Sequence, residues 1–149
     1  MRNPMTPDTA VLLNRATLTC GVVPTRRNPY RVYALGVATL GIYWVVWFLR
    51  TNRELARFDD RAEFSYGIET AAFALGWPVG IPQFLTLHRM GRRIEAAQRA
   101  AGLPLSCDPA TGVLMWLSFG VGVMYLQDEL NKVVDRYGAP AGTEVFHYA

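Results

Sequence analysis

The sequence contains few of the residue types from which most catalytic and metal sites are built. Its 149 residues include two cysteines and two histidines, and the positions of Cys20 and Cys107 match no zinc-ligand spacing. It also contains no glycine-rich phosphate loop and no nucleophile elbow. We therefore expect a protein without enzymatic activity, metal or cofactor, and we expect both cysteines to be free thiols.

Charged residues are missing from three long stretches, which cover residues 32–49, 70–88 and 109–127. A helix rises about 1.5 Å per residue, so each stretch of about 18 or 19 residues would measure roughly 27 to 28 Å. This length is close to the thickness of the hydrocarbon core of a bilayer. In a soluble protein of this size, few other elements would remain to cover three buried helices. The pattern therefore predicts an integral membrane protein, although Gly, Pro, Ser and Thr weaken each stretch as an insertion signal.

Capping residues mark the ends of the predicted helices. The pairs Asn28-Pro29 and Asp108-Pro109 are typical of an N-cap followed by the first helical position. Gly102 and Gly138, each followed closely by a proline, are typical helix stops. The stops lie well beyond the apolar stretches, so the helices should continue outside the bilayer as amphipathic extensions.

We therefore predict an all-α membrane protein with about three transmembrane helices. A three-helix membrane domain at 28–138 would lie between an N-terminal tail at 1–27 and a C-terminal tail at 139–149. The distribution of Lys and Arg favours a cytoplasmic N-terminus. In a competing arrangement, some stretches enter and leave the membrane on the same face as kinked hairpins.

The second stretch contains a break, because Pro78 and Pro82 remove helical hydrogen-bond donors. Broken helices mark ion or substrate sites in some transporters, although most such breaks are plain kinks. Glu69 lies at the start of this stretch and is the best candidate for a membrane-embedded carboxylate. We expect these three residues to be functional if the protein transports a solute, and an arginine could neutralise the carboxylate.

The amphipathic extensions present apolar stripes with helical spacing that need a partner surface. They would pack on neighbouring helices of the same chain or of a second copy, or dock a protein partner. In the alternative, one or more of them lies flat on the lipid headgroups, since arginines occupy the polar side of the second extension. Gly41 would allow a close approach between helices. The other predicted packing or docking residues are Leu55, Phe58, Met90, Ile94, Leu130 and Val133.

A second group of residues is expected at the membrane interface. Aromatic side chains favour the headgroup level, and arginine side chains reach lipid phosphates. We expect His88, which closes the second stretch, to lie at the same level. The predicted interface residues are Tyr43, Trp44, Trp47, Arg50, Arg53, Arg89, Arg92 and Arg93.

The first stretch also carries a recognisable motif. Thr39-Leu40-Gly41-Ile42-Tyr43-Trp44 is followed by Trp47-Phe48 and by Thr51-Asn52-Arg53-Glu54-Leu55. This series resembles the signature of a family of small bacterial membrane proteins catalogued as a domain of unknown function. With Tyr125-Leu126-Gln127 and Leu130-Asn131, the resemblance extends over roughly residues 28–137. It implies a multi-pass protein of the bacterial cytoplasmic membrane, and it supplies no activity or ligand.

The function that we expect is that of a non-enzymatic scaffold or accessory subunit of a membrane complex. One alternative is an oligomeric channel or small transporter, and another is a membrane-organising protein that binds anionic lipid. The expected partners are membrane lipids and either another protein or a second copy of the chain. Nucleic acid is not expected, because the arginines flank the apolar stretches and do not form one continuous basic tract.

Overall fold

The structure, a computed structural model, describes residues 18–59, 64–76 and 81–148. Within these ranges the chain forms six helices and two short strands. In chain order they are β1 (Leu18–Val22), α1 (Pro29–Ala38), α2 (Ile42–Phe58), α3 (Tyr66–Leu75), α4 (Ile81–Ala100), α5 (Pro109–Leu117), α6 (Gly122–Tyr137) and β2 (Glu144–Tyr148). The prediction of a mostly helical protein is confirmed.

The sequence predicts about three transmembrane helices with a break only in the second, whereas in the structure each apolar stretch is divided between two helices. The helices that the structure describes include none with both the length and the apolar character needed to cross a membrane. The break expected in the second stretch falls between α3 and α4. Pro82 is the second residue of α4, and Pro78 lies outside the described residues.

The other two breaks are tight turns in which two successive residues adopt left-handed backbone angles. Leu40 and Gly41 have φ values of 52° and 91° between α1 and α2, and Phe119 and Gly120 have φ values of 56° and 79° between α5 and α6. A left-handed residue cannot continue a right-handed helix, so the chain reverses at these points. Gly41 is therefore a turn residue and not the helix-packing contact that was expected.

Each pair of helices forms an antiparallel hairpin, as contacts far from the turns show. In the first hairpin, Arg27 before α1 pairs with Glu54 near the end of α2. In the second, Glu69 of α3 pairs with Arg93 of α4. In the third, the hydroxyl of Ser106 before α5 donates to Glu129 of α6. In each hairpin, the two helix ends away from the turn, which we call its open ends, therefore lie next to each other.

Capping holds the first and third hairpins at their open ends. The Asn28 side chain accepts hydrogen bonds from the backbone N–H groups of Tyr30 and Arg31, and Asp108 does the same for Ala110 and Thr111. These helix starts agree with the sequence prediction, as does the stop at Gly138, whose φ is 58°. The caps satisfy N–H groups that have no partner within the helix.

The predicted tails contain the two strands, which pair antiparallel with Cys20 opposite Phe146. The sheet covers the end of α2 farthest from its turn, where the His147 ring stacks on Phe58 at a centroid distance of 4.8 Å. Gly21 permits this contact, because a Cβ added there would lie 2.0 Å from the Phe58 carbonyl oxygen. The fold is therefore helical with a small sheet at one end.

Candidate functional site: the apolar tip and the polar residues above it

The first and third hairpin turns meet beside the start of α4 at one end of the molecule. One cavity of about 780 Å³ is lined by Leu40 of the first turn, Phe119 of the third turn and Phe84 near the start of α4. Trp44 of α2 packs against Trp116 of α5 at this end, with ring centroids 5.1 Å apart, and so connects the first and third hairpins. The turns are thus parts of a single surface.

This surface exposes an unusual amount of large apolar side chain. Leu40 is 95% exposed and Phe119 is 90% exposed, although both belong to stretches that have no charged residue. Single exposed apolar residues are ordinary, but a contiguous apolar patch indicates an interaction site. We call this patch the apolar tip; it consists of Val37, Leu40, Ile42, Leu75, Ile81, Leu85, Leu114, Leu117 and Phe119, which are all exposed.

Charge begins at a similar distance from the turn in all three hairpins. The nearest charged residues are about ten residues from each turn, which corresponds to about 15 Å along a helix. Those that are exposed, together with Arg92 in the next turn of α4, form what we call the polar rim. The rim consists of Arg31, Arg50, Arg89, Arg92, Asp108 and Asp128. It contains more arginines than carboxylates, so its net charge is positive.

A buried ion pair lies at the level of the rim inside the second hairpin. The Arg93 guanidinium donates to both Glu69 carboxylate oxygens, at 2.7 and 2.8 Å, and also to Asn52 Oδ1 at 2.8 Å. It lies 5.2 Å from the centre of the Phe64 ring. The guanidinium belongs to α4, and its acceptors Asn52 and Glu69 belong to α2 and α3. This group of side chains therefore joins the first hairpin to the second.

A second polar network joins the first hairpin to the third. The indole N–H of Trp47 donates to Gln127 at 2.7 Å, and the Gln127 amide donates to Asn131 at 3.0 Å. Asn131 then donates to the Arg27 carbonyl at 2.7 Å and accepts from its N–H at 3.2 Å. Arg27 also donates to both carboxylate oxygens of Glu54. Buried groups with partners of this kind fix the relative position of helices.

A third cluster contains residue types that serve in some hydrolases. Ser106 donates to Glu129 at 2.5 Å, and Lys132 donates to Ser106 at 3.1 Å and to Glu129 at 2.6 Å. The hydrogen bond to Glu129 raises the pKa of Lys132 above its ordinary value. Lys132 therefore remains protonated at neutral pH and cannot accept the serine proton. The hydrogen bonds of the cluster connect Ser106, before α5, to α6 and so stabilise the open end of the third hairpin.

Across residues 18–59, 64–76 and 81–148, no three His, Cys, Asp or Glu side chains are grouped so that they could hold an ion.

The predicted packing residues form the interior of the protein itself. Leu55, Phe58, Met90, Ile94, Leu130 and Val133 are all fully buried within this single chain. The apolar stripes of the extensions thus meet one another. This arrangement is one of those expected from the sequence, and it leaves these six residues unavailable to a protein partner unless the chain unfolds.

The predicted interface residues fall into two groups. Arg50, Arg53, Arg89 and Arg92 are exposed, and Tyr43 is partly buried. Trp44, Trp47 and Arg93, by contrast, lie in the interior. The expectation that all eight would face headgroups is therefore wrong for these three. Their burial follows from hairpin formation, which places a second helix against each of them.

Leu40 and Phe119 were not predicted as site residues, because a continuous helix would have placed them among lipid-facing neighbours. The sequence does contain a signal for them. Thr39-Leu40-Gly41 and Ser118-Phe119-Gly120 share a pattern of hydroxyl residue, large apolar residue and glycine. In both places the pattern forms the same left-handed turn.

The fold and the site define a helical protein of three hairpins with a shared apolar tip and a cationic rim. Residues 27–96 match the family model described as a domain of unknown function, DUF4234. The resemblance to a family of that kind is thus confirmed over the first two hairpins, and the family match does not extend to the third. No curated protein and no solved structure matches the chain.

Proposed function

We propose that the protein is a non-enzymatic membrane scaffold whose three hairpins insert into one leaflet of a bilayer from the same side. The observation that carries the proposal is the apolar tip, in which Leu40 and Phe119 are almost fully exposed. Leaving such a patch in water is unfavourable by about 25 cal/mol for each Å² of apolar surface. Insertion into hydrocarbon would remove that penalty.

The dimensions of the hairpins support insertion to half the depth of a bilayer. The first helix of each hairpin is the shorter one, and α1, α3 and α5 contain 10, 10 and 9 residues. They are therefore about 14 to 15 Å long, which is half of the roughly 30 Å hydrocarbon thickness. The rim would then lie at the headgroups while the tip lies near the bilayer centre.

The charge of the rim supports a preference for anionic lipid. Arg31, Arg50, Arg89 and Arg92 are exposed at this level. Each arginine near an anionic surface contributes about 1 kcal/mol of attraction. A scaffold anchored in this way would keep its charged open ends, with the small sheet, free for partners outside the membrane. In keeping with the resemblance, we propose the bacterial cytoplasmic membrane as its location.

The channel alternative receives less support. Glu69, the carboxylate on which that alternative depends, is neutralised by Arg93 and held in a structural network. The role of accessory subunit, which the sequence also favours, remains compatible with the proposal, but the apolar residues expected to dock a partner lie in the core of the chain. A partner would therefore have to bind the polar open ends.

Flotation with vesicles of phosphatidylethanolamine and phosphatidylglycerol in equal parts tests the proposal. We expect the wild-type chain to float and the double variant Leu40→Asp, Phe119→Asp to remain with the unbound protein. An Asp in place of an apolar residue near the bilayer centre costs about 3 kcal/mol, so two should lower partitioning more than a thousandfold. The control is Phe146→Asp, which changes a side chain that is 71% exposed in the sheet, far from the tip. If the double variant floats like the control, the proposal is wrong.

One-sided insertion is tested by labelling single cysteines from outside sealed vesicles, in a background in which Cys20 and Cys107 are replaced by serine. Arg57→Cys and Arg99→Cys change exposed residues that follow the first and second apolar stretches. If the hairpins insert from one side, a membrane-impermeant reagent labels both or neither. Labelling of only one in vesicles of uniform orientation would instead support a crossing between them.

A further inference from the structure

An apolar groove runs along the outside of the molecule between α4 and α5. It has a volume of about 450 Å³, and its lining includes Ile81, Leu85 and His88 of α4 together with Ala110, Val113 and Leu114 of α5. Apart from His88 at one end, the lining side chains are apolar. The groove therefore differs from the cavity between the turns, which Tyr33, Trp44 and Gln83 also line.

The groove has a direction, since one end lies at the tip and the other at the rim. Ile81 begins α4 next to the second turn, and His88 lies two turns of helix farther on, about 10 Å away. At the rim the two helices touch, because a Cβ added to Gly91 would lie 2.9 Å from Pro109 Cα. The groove is thus elongated and ends on the tip side of this contact. After insertion of the tip it would lie along the bilayer normal.

Two side chains that can donate hydrogen bonds to a phosphate lie at the rim end. His88 is exposed there, and Arg92 follows it one helical turn later on the same face of α4. The acidic residue Asp108 also lies near His88, and its carboxylate already accepts hydrogen bonds from the Ala110 N–H and from the N–H and hydroxyl of Thr111. A phosphate group placed between His88 and Arg92 would find the positive charge of Arg92 and an imidazole N–H donor, together with an apolar path for the attached chain.

We propose that this groove holds one acyl chain of an anionic phospholipid, whose phosphate is bound by His88 and Arg92. The inference rests on the proposed function, because insertion of the tip is what brings the groove to the depth of the acyl chains. It deepens that function by assigning a specific lipid position on a protein that otherwise contacts lipid through its general apolar surface.

Lipid retention tests the inference. The full chain is reconstituted in vesicles of phosphatidylethanolamine and phosphatidylglycerol in equal parts, extracted in mild detergent, and analysed by native mass spectrometry and phosphorus assay. Ala110→Trp should fill the groove and abolish the retained phospholipid that the wild type carries. The matched control is Ala34→Trp, an exposed position on α1 outside the groove, and it should retain phospholipid as the wild type does.

The headgroup assignment is tested with His88→Gln and Arg92→Gln combined. We expect this variant to lose the preference for retained phosphatidylglycerol over phosphatidylethanolamine. Arg57→Gln, an exposed arginine near the far end of α2, should keep it. An unchanged preference in the combined variant would overturn the role of the two residues.

Two results would overturn the inference without touching the proposed function. These are a wild-type chain that floats but retains no phospholipid, or an Ala110→Trp variant that retains as much as the wild type. If Ala110→Trp does not fold, a phospholipid with a photoreactive acyl chain is used on the wild type. Labelling concentrated on the groove residues supports the inference, and equal labelling of the groove, Leu40 and Phe119 overturns it. Failure of the wild type to float would instead refute the proposed function.

Discussion

Replacing Glu69 with Gln should strongly destabilise the protein, because it leaves the Arg93 charge without its carboxylate in the interior. The side chains of Arg93 and Glu69 are only 10% and 7% exposed, and they share two hydrogen bonds. Removing one partner of a buried ion pair typically costs about 3 to 5 kcal/mol. Asn52 remains as an acceptor for the guanidinium at 2.8 Å. We therefore expect a loss near the lower limit, about 3 kcal/mol.

A double replacement separates the effect of a buried charge that has lost the Glu69 carboxylate from the other effects of the substitution. With Glu69→Leu and Arg93→Met together, both charges of this pair are removed, and apolar replacements of buried ion pairs are often close to neutral. Asn52 Oδ1, which is fully buried, loses its guanidinium donor, and a buried acceptor without that bond costs about 1 kcal/mol or more. We therefore expect the double variant to lie about 1 to 2 kcal/mol below the wild type in free energy of unfolding. It should thus be more stable than Glu69→Gln alone.

The assay is thermal and urea unfolding in mild detergent, followed by tryptophan fluorescence. A loss of about 3 kcal/mol should lower the midpoint temperature by roughly 6 to 12 °C. The control is Glu95→Gln, since Glu95 pairs with the exposed Arg99 along one helix at 3.3 Å. Its replacement should cost at most about 0.5 kcal/mol. The reasoning is refuted if Glu69→Gln costs no more than this control, or if the double variant is the least stable of all.

Two further predictions concern a thiol and a turn. Burial raises the pKa of Cys107 to about 12. An ordinary thiol is half ionised at about pH 8.5. At that pH, iodoacetamide should modify the exposed Cys20 and leave Cys107 unmodified until the chain unfolds. Mass spectrometry of the native protein counts the modified thiols, and rapid modification of both would contradict the burial of Cys107. Gly120→Ala should destabilise the protein more than Gly138→Ala, in thermal unfolding of both. Each places alanine at a positive φ, at about 1 to 2 kcal/mol, but only at Gly120 would the new Cβ clash, 2.7 Å from the Trp44 ring. Equal losses would show that the first turn does not pack on the third.

Part of the fold follows from local sequence signals. Asn28 and Asp108 begin helices because their short polar side chains satisfy N–H groups that a helix leaves free. Gly138 ends α6 because glycine adopts a left-handed conformation without a steric penalty. These effects depend on a few adjacent residues, so the predicted starts and stops agree with the structure.

Local signals raise hairpins only as a competing arrangement and do not select them. In the sequence, Leu40-Gly41 is one more apolar pair inside an uncharged stretch, and a Gly within such a stretch does not by itself end a helix. What ends it is the antiparallel packing of α2 on α1, where Trp44 occupies the space left open by Gly36. The left-handed turn is stabilised by contacts that exist only after the chain has reversed.

The partners of the charged residues were likewise decided by tertiary structure. Glu54 has arginines at helical spacing on its own helix, Arg50 and Arg57, but it pairs with Arg27 across the first hairpin. Glu69 was recognised as an isolated carboxylate, and its association with Arg93 and Asn52 joins three helices.

The sequence by itself determined the helical content, the helix caps, the uncharged stretches and the arginines beside them, because each is a matter of composition or of neighbouring residues. Only the tertiary structure decided that these stretches fold back on themselves, that the amphipathic stripes bury one another and that Leu40 and Phe119 meet at one exposed end. The physical reason is that burial and pairing between residues distant in the chain depend on which surfaces meet, and no local pattern specifies that choice.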